Sequence, residues 1–223
     1  MTLSEIVKKV RVAAARQFLS LKSLFTVVES VYALMQRKIL HRDIKNENIV
    51  IDLCTGATKL VDFGAATSMK STRHHGFQGT RLYSPPEFLI HSLYLGEEAA
   101  VWSLGVVLFA CLNGQLPYQS TKDICTSHLL GPLPRLTEFS AAAEQTIQNC
   151  LSFDPFKRIS LEALRSSDWI RSGEDLDWDA LAKQKTEDSS ADSLDQRAES
   201  GVGSSDGSGR RTIKERALAA KDC

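Results

Sequence analysis

The sequence predicts a mainly α fold, α+β overall, in which a helical lobe carries one small β-hairpin and is followed by a disordered tail. Three observations predict it. Apolar residues recur at helical spacing through residues 20–38 and run almost without interruption from Ala99 to Leu112. Two short β-prone runs, Ile49-Val50-Ile51 and Lys59-Leu60-Val61, flank a turn at Gly56. After Trp169-Ile170 the composition shifts to Ser, Asp, Glu and Gly.

Residues 1–19 form an N-terminal extension for which no structure is assigned. Leu21, Leu24, Phe25, Val28, Val31, Tyr32 and Met35 mark one amphipathic helix that delivers the chain into Ile39-Leu40-His41. The hairpin follows, and residues 65–82, rich in Ser, Thr, His and Gly, lack either periodicity and read as an exposed loop ended by Pro85-Pro86-Glu87. The apolar run around Trp102 predicts a helix buried on all sides. Further helices are expected near 122–129, 140–152 and 160–170, separated by Gly131-Pro132, Pro134 and Asp154-Pro155. Residues 172–223 cannot bury enough apolar surface to offset the entropy of ordering and are expected to be disordered. The organisation is therefore 1–19, 20–171 and 172–223.

Of the 223 residues 43% are apolar, enough for a substantial core, and 27 Lys and Arg balance 27 Asp and Glu. The balance hides an asymmetry: residues 172–209 hold 3 basic against 10 acidic side chains, and the last 14 residues turn basic. That basic end is too small to argue for nucleic acid. Five cysteines without C-x-x-C spacing argue for reduced thiols. No stretch reads as a signal peptide or a membrane span, so a cytoplasmic, or also nuclear, location and no membrane partner are expected. An amphipathic organellar presequence over 1–19 is the alternative. His74-His75 has no second ligand pair at metal-binding spacing and reads as loop.

The chemistry concentrates in His41-Arg42-Asp43-Ile44-Lys45-Asn46-Glu47-Asn48 and in Asp62-Phe63-Gly64 beyond the hairpin. The two segments match H-R-D-x-x-x-x-N and D-F-G, and with them the chain resembles the protein kinases, whose fold and phosphoryl-transfer chemistry are then expected. Gly79-Thr80-Arg81-Leu82-Tyr83-Ser84-Pro85-Pro86-Glu87 and Asp154-Pro155-Phe156-Lys157-Arg158 extend the match to residues 20–171, the C-terminal lobe of that fold. The resemblance implies ATP and Mg²⁺ as cofactors. Asp43 would orient the substrate hydroxyl, Lys45 would contact the transferred phosphoryl group, and Thr80 would seat both. Asn48 and Asp62 would hold the metal, and Val50 would lie beneath adenine. His41, Phe63 and Gly64 are structural in this reading, and Glu87 with Arg158 would tie the activation segment to the lobe. Arg42 would meet a phosphate on Ser68, Ser71 or Thr72 only in kinases switched that way; solvated loop residues are the favoured reading.

Tyr83-Ser84-Pro85-Pro86-Glu87, with Ala99-Ala100-Val101-Trp102-Ser103-Leu104-Gly105, is similar to the Pim family of serine/threonine kinases. That family uses acidic residues to bind substrates with upstream Arg, and Glu47 matches one such position. Asn46, Gln115 and Gln119 stand where acidic residues would be expected, which weakens the basic preference. No G-x-G-x-x-G loop or V-A-I-K strand precedes His41. A kinase acting on Ser or Thr of protein substrates, but poorly active alone, is thus weighed against a non-catalytic module that binds substrates or regulators. Either way the face around Val50 and Phe63 is expected to be exposed and apolar, open to a partner, unless residues 1–19 fold over it.

Overall fold

The computed structural model describes residues 1–9, 13–52 and 54–173. The chain divides into two units, Met1–Ala182 and Lys183–Cys223, and the second lies outside the described residues. So does the expected disordered tail, apart from Ser172 and Gly173. Gly173 is packed so closely that a Cβ there would lie 2.4 Å from the Leu21 carbonyl oxygen.

Helix α1 (Leu3–Lys9) is short, and α2 runs from Ala13 to Gln36. The predicted helix is therefore present but starts earlier, and the expected boundary at residue 20 falls inside it. The first residues are ordered against the predicted hairpin: Thr2 bridges to Val50, the Ile51 N–H donates to the Met1 carbonyl at 2.8 Å, and Leu3 and Ile6 are buried. Apolar side chains at positions 3 and 6 explain this, since only one face of a short helix has to be covered.

Strand β1 (Ile39–Leu40) leads into the motif loop, whose end forms a 3₁₀ turn over Asn46–Asn48. Strands β2 (Ile49–Ile51) and β3 (Thr58–Leu60) form the expected hairpin, in the register Ile49 to Leu60, Val50 to Lys59 and Ile51 to Thr58, with Gly56 in the left-handed region at φ 71°. The segment expected to be a loop contains two short strands, β4 (Thr67–Ser68) and β5 (His74–His75). Two-residue strands show no periodicity, and their partners are distant in sequence. β4 pairs with β1, and β5 with β6 (Leu93–Tyr94), which follows α3 (Pro86–His91).

Helix α4 (Gly96–Asn113) is the central pillar, buried from Ala99 to Asn113. It is apolar and long enough to cross a membrane, but 89% of it is covered by the rest of the protein. Helix α2 covers one side with Leu24, Val27, Val28, Val31 and Met35. Helices α5 (Thr121–Cys125), α6 (Ala141–Cys150), α7 (Leu161–Arg165) and α8 (Asp168–Arg171) complete the lobe. Ser120, Ser140 and Ser160 cap α5, α6 and α7 by accepting a backbone N–H, which ends each preceding loop.

Gly105 is where α4 and α6 meet most closely: a Cβ there would lie 2.6 Å from the Cys150 Cβ and 2.9 Å from Leu151 Cδ2. The Cys150 Cβ is fixed by its own backbone and cannot turn aside. Gly105→Ala should therefore lower the unfolding free energy by about 1–3 kcal/mol, the usual cost of overpacking, read as a lower urea midpoint at unchanged slope.

Candidate active site

The motif loop is fixed from both sides by its own residues. His41 is buried, its Nε2 lies 3.1 Å from the Val61 carbonyl, and its Nδ1 accepts the Asp43 N–H at 3.3 Å. That pairing needs a neutral ring with the proton on Nε2, and burial pushes the imidazole pKa down accordingly. The ring also meets Phe63 edge-on at 4.8 Å. Arg42 has φ 68°, an uncommon conformation for a residue with a Cβ, and its guanidinium bonds to the carbonyls of Ala65 and Gly76 and to Gln78 Oε1. Arg42 is thus held by neutral acceptors of the segment 65–78.

Asp43 is the centre of the site. Its Oδ1 accepts the Thr80 N–H and the Thr80 hydroxyl, each at 2.9 Å, while Oδ2 takes Lys45 Nζ at 2.7 Å and Asn48 Nδ2 at 3.0 Å. Lys45 Nζ also donates to Thr80 Oγ1 at 2.9 Å, closing a three-residue ring. Partial burial raises the Asp43 pKa, but the bonds from Lys45 and Thr80 outweigh it, so the carboxyl is held below its ordinary range. It is ionised at neutral pH and oriented, as a proton acceptor must be. Gly79 makes this approach possible: a Cβ there would sit 2.1 Å from the Arg42 carbonyl oxygen. Only the absent side chain lets the activation segment bring Thr80 to Asp43.

Asn48 and Asp62 are linked through the hairpin, because the Val61 N–H donates to the Asn48 carbonyl at 2.9 Å. Asp62 is exposed, in the left-handed region at φ 65°, with Oδ1 accepting the Gly64 N–H at 3.2 Å. Asn48 donates its amide nitrogen to Asp43, which leaves its amide oxygen as a hard donor. Two oxygen ligands suit Mg²⁺, which keeps waters and phosphate oxygens rather than entering an all-protein cage. Asn48 and Asp62 are the residues that would hold it.

A groove of about 630 Å³ runs beside the ring, with Ser4, Lys45, Glu47, Thr80, Leu82 and Leu116 on its walls. Glu47 is exposed and accepts a bond from Ser4 Oγ at 3.4 Å, a contact from α1 that the motif pattern did not reveal. Asn46 is buried, and its Oδ1 faces Cys111 Sγ at 3.8 Å. The face above the hairpin is mixed: Phe63 is 48% exposed, but Val50 is half-buried, because Thr2 pairs with it. The expected exposed patch is present at Phe63 and reduced at Val50, where the first residues fold over it.

Glu87 and Arg158 form a bidentate pair at 2.7 and 2.6 Å. Arg158 also donates to the carbonyls of Ser152, Glu98 and Phe153 and lies 4.9 Å above the Trp102 ring. Trp102, expected from the sequence to lie in a buried helix, is thus also the platform on which this pair rests.

Acid should loosen the activation segment. His74, in β5, is buried and stacked on Tyr94 of β6 at 5.3 Å, and its Nε2 accepts the Lys70 N–H at 3.2 Å. Burial, followed by the charges of Lys70 and Arg42, lowers its pKa, as burial lowers that of His41. Both rings bind protons more readily in the unfolded chain, so their stability contribution is complete above the ordinary histidine pKa of 6.5 and declines as pH falls below it. The melting temperature should fall as pH is lowered from 7 toward 5, and His74→Gln should reduce the dependence.

A protein kinase domain model matches residues 3–170. The chain is 54% identical over 169 residues to serine/threonine-protein kinase prk-2 of Caenorhabditis elegans, covering 76% of this chain and 38% of that protein. It is 36% identical over 157 residues to serine/threonine-protein kinase pim-2 of Danio rerio, covering 70% and 47% respectively. Similarity to testis-specific serine/threonine-protein kinase 5 of Mus musculus is 32% over 194 residues, with 81% and 52% covered. The chain thus spans about half, or less, of the length of these relatives. With residues 3–170 matched by the protein kinase domain model, the chain belongs to the protein kinase family.

Proposed function

We propose that this chain forms the catalytic lobe of a Pim-like kinase that transfers the γ-phosphoryl group of ATP to Ser or Thr hydroxyls of protein substrates. The observation that carries this reading is the Asp43–Lys45–Thr80 ring, with Asn48 on the same carboxylate. A hydroxyl in the neighbouring groove would give its proton toward Asp43, and Lys45 would meet the negative charge of the transferred group. Mg²⁺ supplies charge neutralisation at the phosphates when bound, and Asn48 and Asp62 supply its protein oxygens. Val50 would support adenine. Glu47, the exposed carboxylate of the groove, would pair with a basic substrate side chain, the buried Asn46 adding no charge. Likeness to pim-2 supports the Pim-like reading. A second lobe or a partner protein would cover the face that exposes Phe63.

Thermal shift tests the reading. Millimolar Mg²⁺-ATP should stabilise the chain by about 1.4 kcal/mol if the Kd is near 0.1 mM, since a ligand that binds only the folded state contributes RT ln(1 + [L]/Kd). Asp62→Asn should abolish the Mg²⁺-dependent part of the shift. Absence of any shift with the native protein would favour the non-catalytic module.

A further inference from the structure

Away from the active site, a cavity of about 790 Å³ opens between the α3–β6 corner and the turn at Phe153–Phe156. Its apolar wall includes Ile90, Leu93, Tyr94, Phe153 and Phe156, and it lies apart from the Asp43–Lys45–Thr80 ring. Two of these side chains are open to solvent, Ile90 at 46% and Phe156 at 73%. Ile90 and Phe156 lie exposed together on one apolar cavity, and grouped apolar exposure of this kind marks an interaction surface where single exposed side chains do not.

The charges around the cavity say what kind of molecule that is. Of its two carboxylates, Glu87 is consumed by the bidentate Arg158, and Asp154 accepts the Phe156 N–H at 3.0 Å while lying 4.0 Å from Lys157 Nζ. The two basic side chains of the lining, Arg73 and His91, take no hydrogen bond or ion pair from any described residue. The acids are answered internally and the bases are not. A ligand filling this cavity therefore meets an apolar wall with unanswered hydrogen-bond donors at its rim.

We infer that this cavity is a docking site for an acidic peptide segment of a partner protein, its bulky apolar side chains seated on Phe153, Phe156 and Ile90 and its carboxylates on Arg73 and His91. The opening suits a peptide because the wall is contributed by the exposed edges of several elements, so a chain can lie across it. Arg73 precedes β5 and Leu93 begins β6, so an occupant would brace the pairing that holds the activation segment.

Fluorescence anisotropy of a labelled octapeptide alternating Asp with Leu and Trp tests the site on the full chain. Binding should weaken by about tenfold or more in Phe156→Ser, since the apolar side chains of the peptide lose the surface on which they are seated. Arg73→Glu should weaken it by a similar factor through charge reversal at the rim, and rising salt should weaken it further. Phe156 and Arg73 are exposed and distant from the core, and unchanged melting temperatures will show that both variants fold. The inference is overturned if these variants bind as well as the native chain, or if the Asn-for-Asp version of the peptide binds equally. It is also overturned if dodecanoate binds more tightly and displaces the peptide, which would assign the cavity to a lipid chain.

Discussion

Arg158→Met should lower the unfolding free energy of the lobe by about 3–5 kcal/mol, the usual cost of removing one partner of a buried ion pair. The arginine side chain is fully buried, and its loss leaves Glu87, only 13% exposed, without the two short bonds that satisfy it. Three backbone carbonyls, of Ser152, Glu98 and Phe153, lose their donor at the same time, and the Trp102 ring loses the cation above it. Against a total stability of about 5–15 kcal/mol, the variant would be near the edge of folding. Guanidinium denaturation should show a much lower midpoint. The double variant Glu87→Gln with Arg158→Met should recover part of the loss, because it no longer strands a carboxylate. A loss below about 1 kcal/mol would mean that the pair behaves like a surface salt bridge.

The second large effect concerns chemistry. Asp43→Asn should reduce phosphate transfer from Mg²⁺-ATP to a Ser-containing peptide by about 10²–10⁴-fold, the range expected when a positioned proton acceptor is removed. The amide keeps the shape of the carboxylate, but one of its two polar atoms now donates, and it faces either the Thr80 donors or Lys45 and Asn48. The ring that orients Lys45 therefore weakens together with the base. Nucleotide binding should survive, since Asn48 and Asp62 keep their oxygens, so the loss should appear in turnover and not in the ATP-induced thermal shift. Equal activity in the variant would remove Asp43 from the mechanism.

Much of this was legible in the residues. The hairpin at Ile49–Leu60 and the buried helix around Trp102 follow from short-range periodicity, and the candidate site follows from Asp43, Lys45, Asn48 and Asp62 standing at fixed spacings in one stretch of chain. Less legible were features that depend on two distant segments. The strands β4 and β5 are two residues each and exist only because β1 and β6 lie beside them. The role of Ser4 beside Glu47, and of Thr2 over Val50, needed the first helix to fold back across the hairpin, although only Leu3 and Ile6 in the sequence hint at it.

By itself the sequence determined the candidate site and the order of the helices, because both are written in local spacing: a carboxylate, a lysine and an amide within six residues, and apolar side chains every three or four. Only the tertiary structure decided which groups touch. Thr80 reaches Asp43 across 37 positions and Arg158 reaches Glu87 across 71, and those contacts depend on packing such as the bare Cα of Gly79 against the Arg42 carbonyl. Spacing along a chain cannot encode such approaches, since they are set by how closely two folded surfaces can come together.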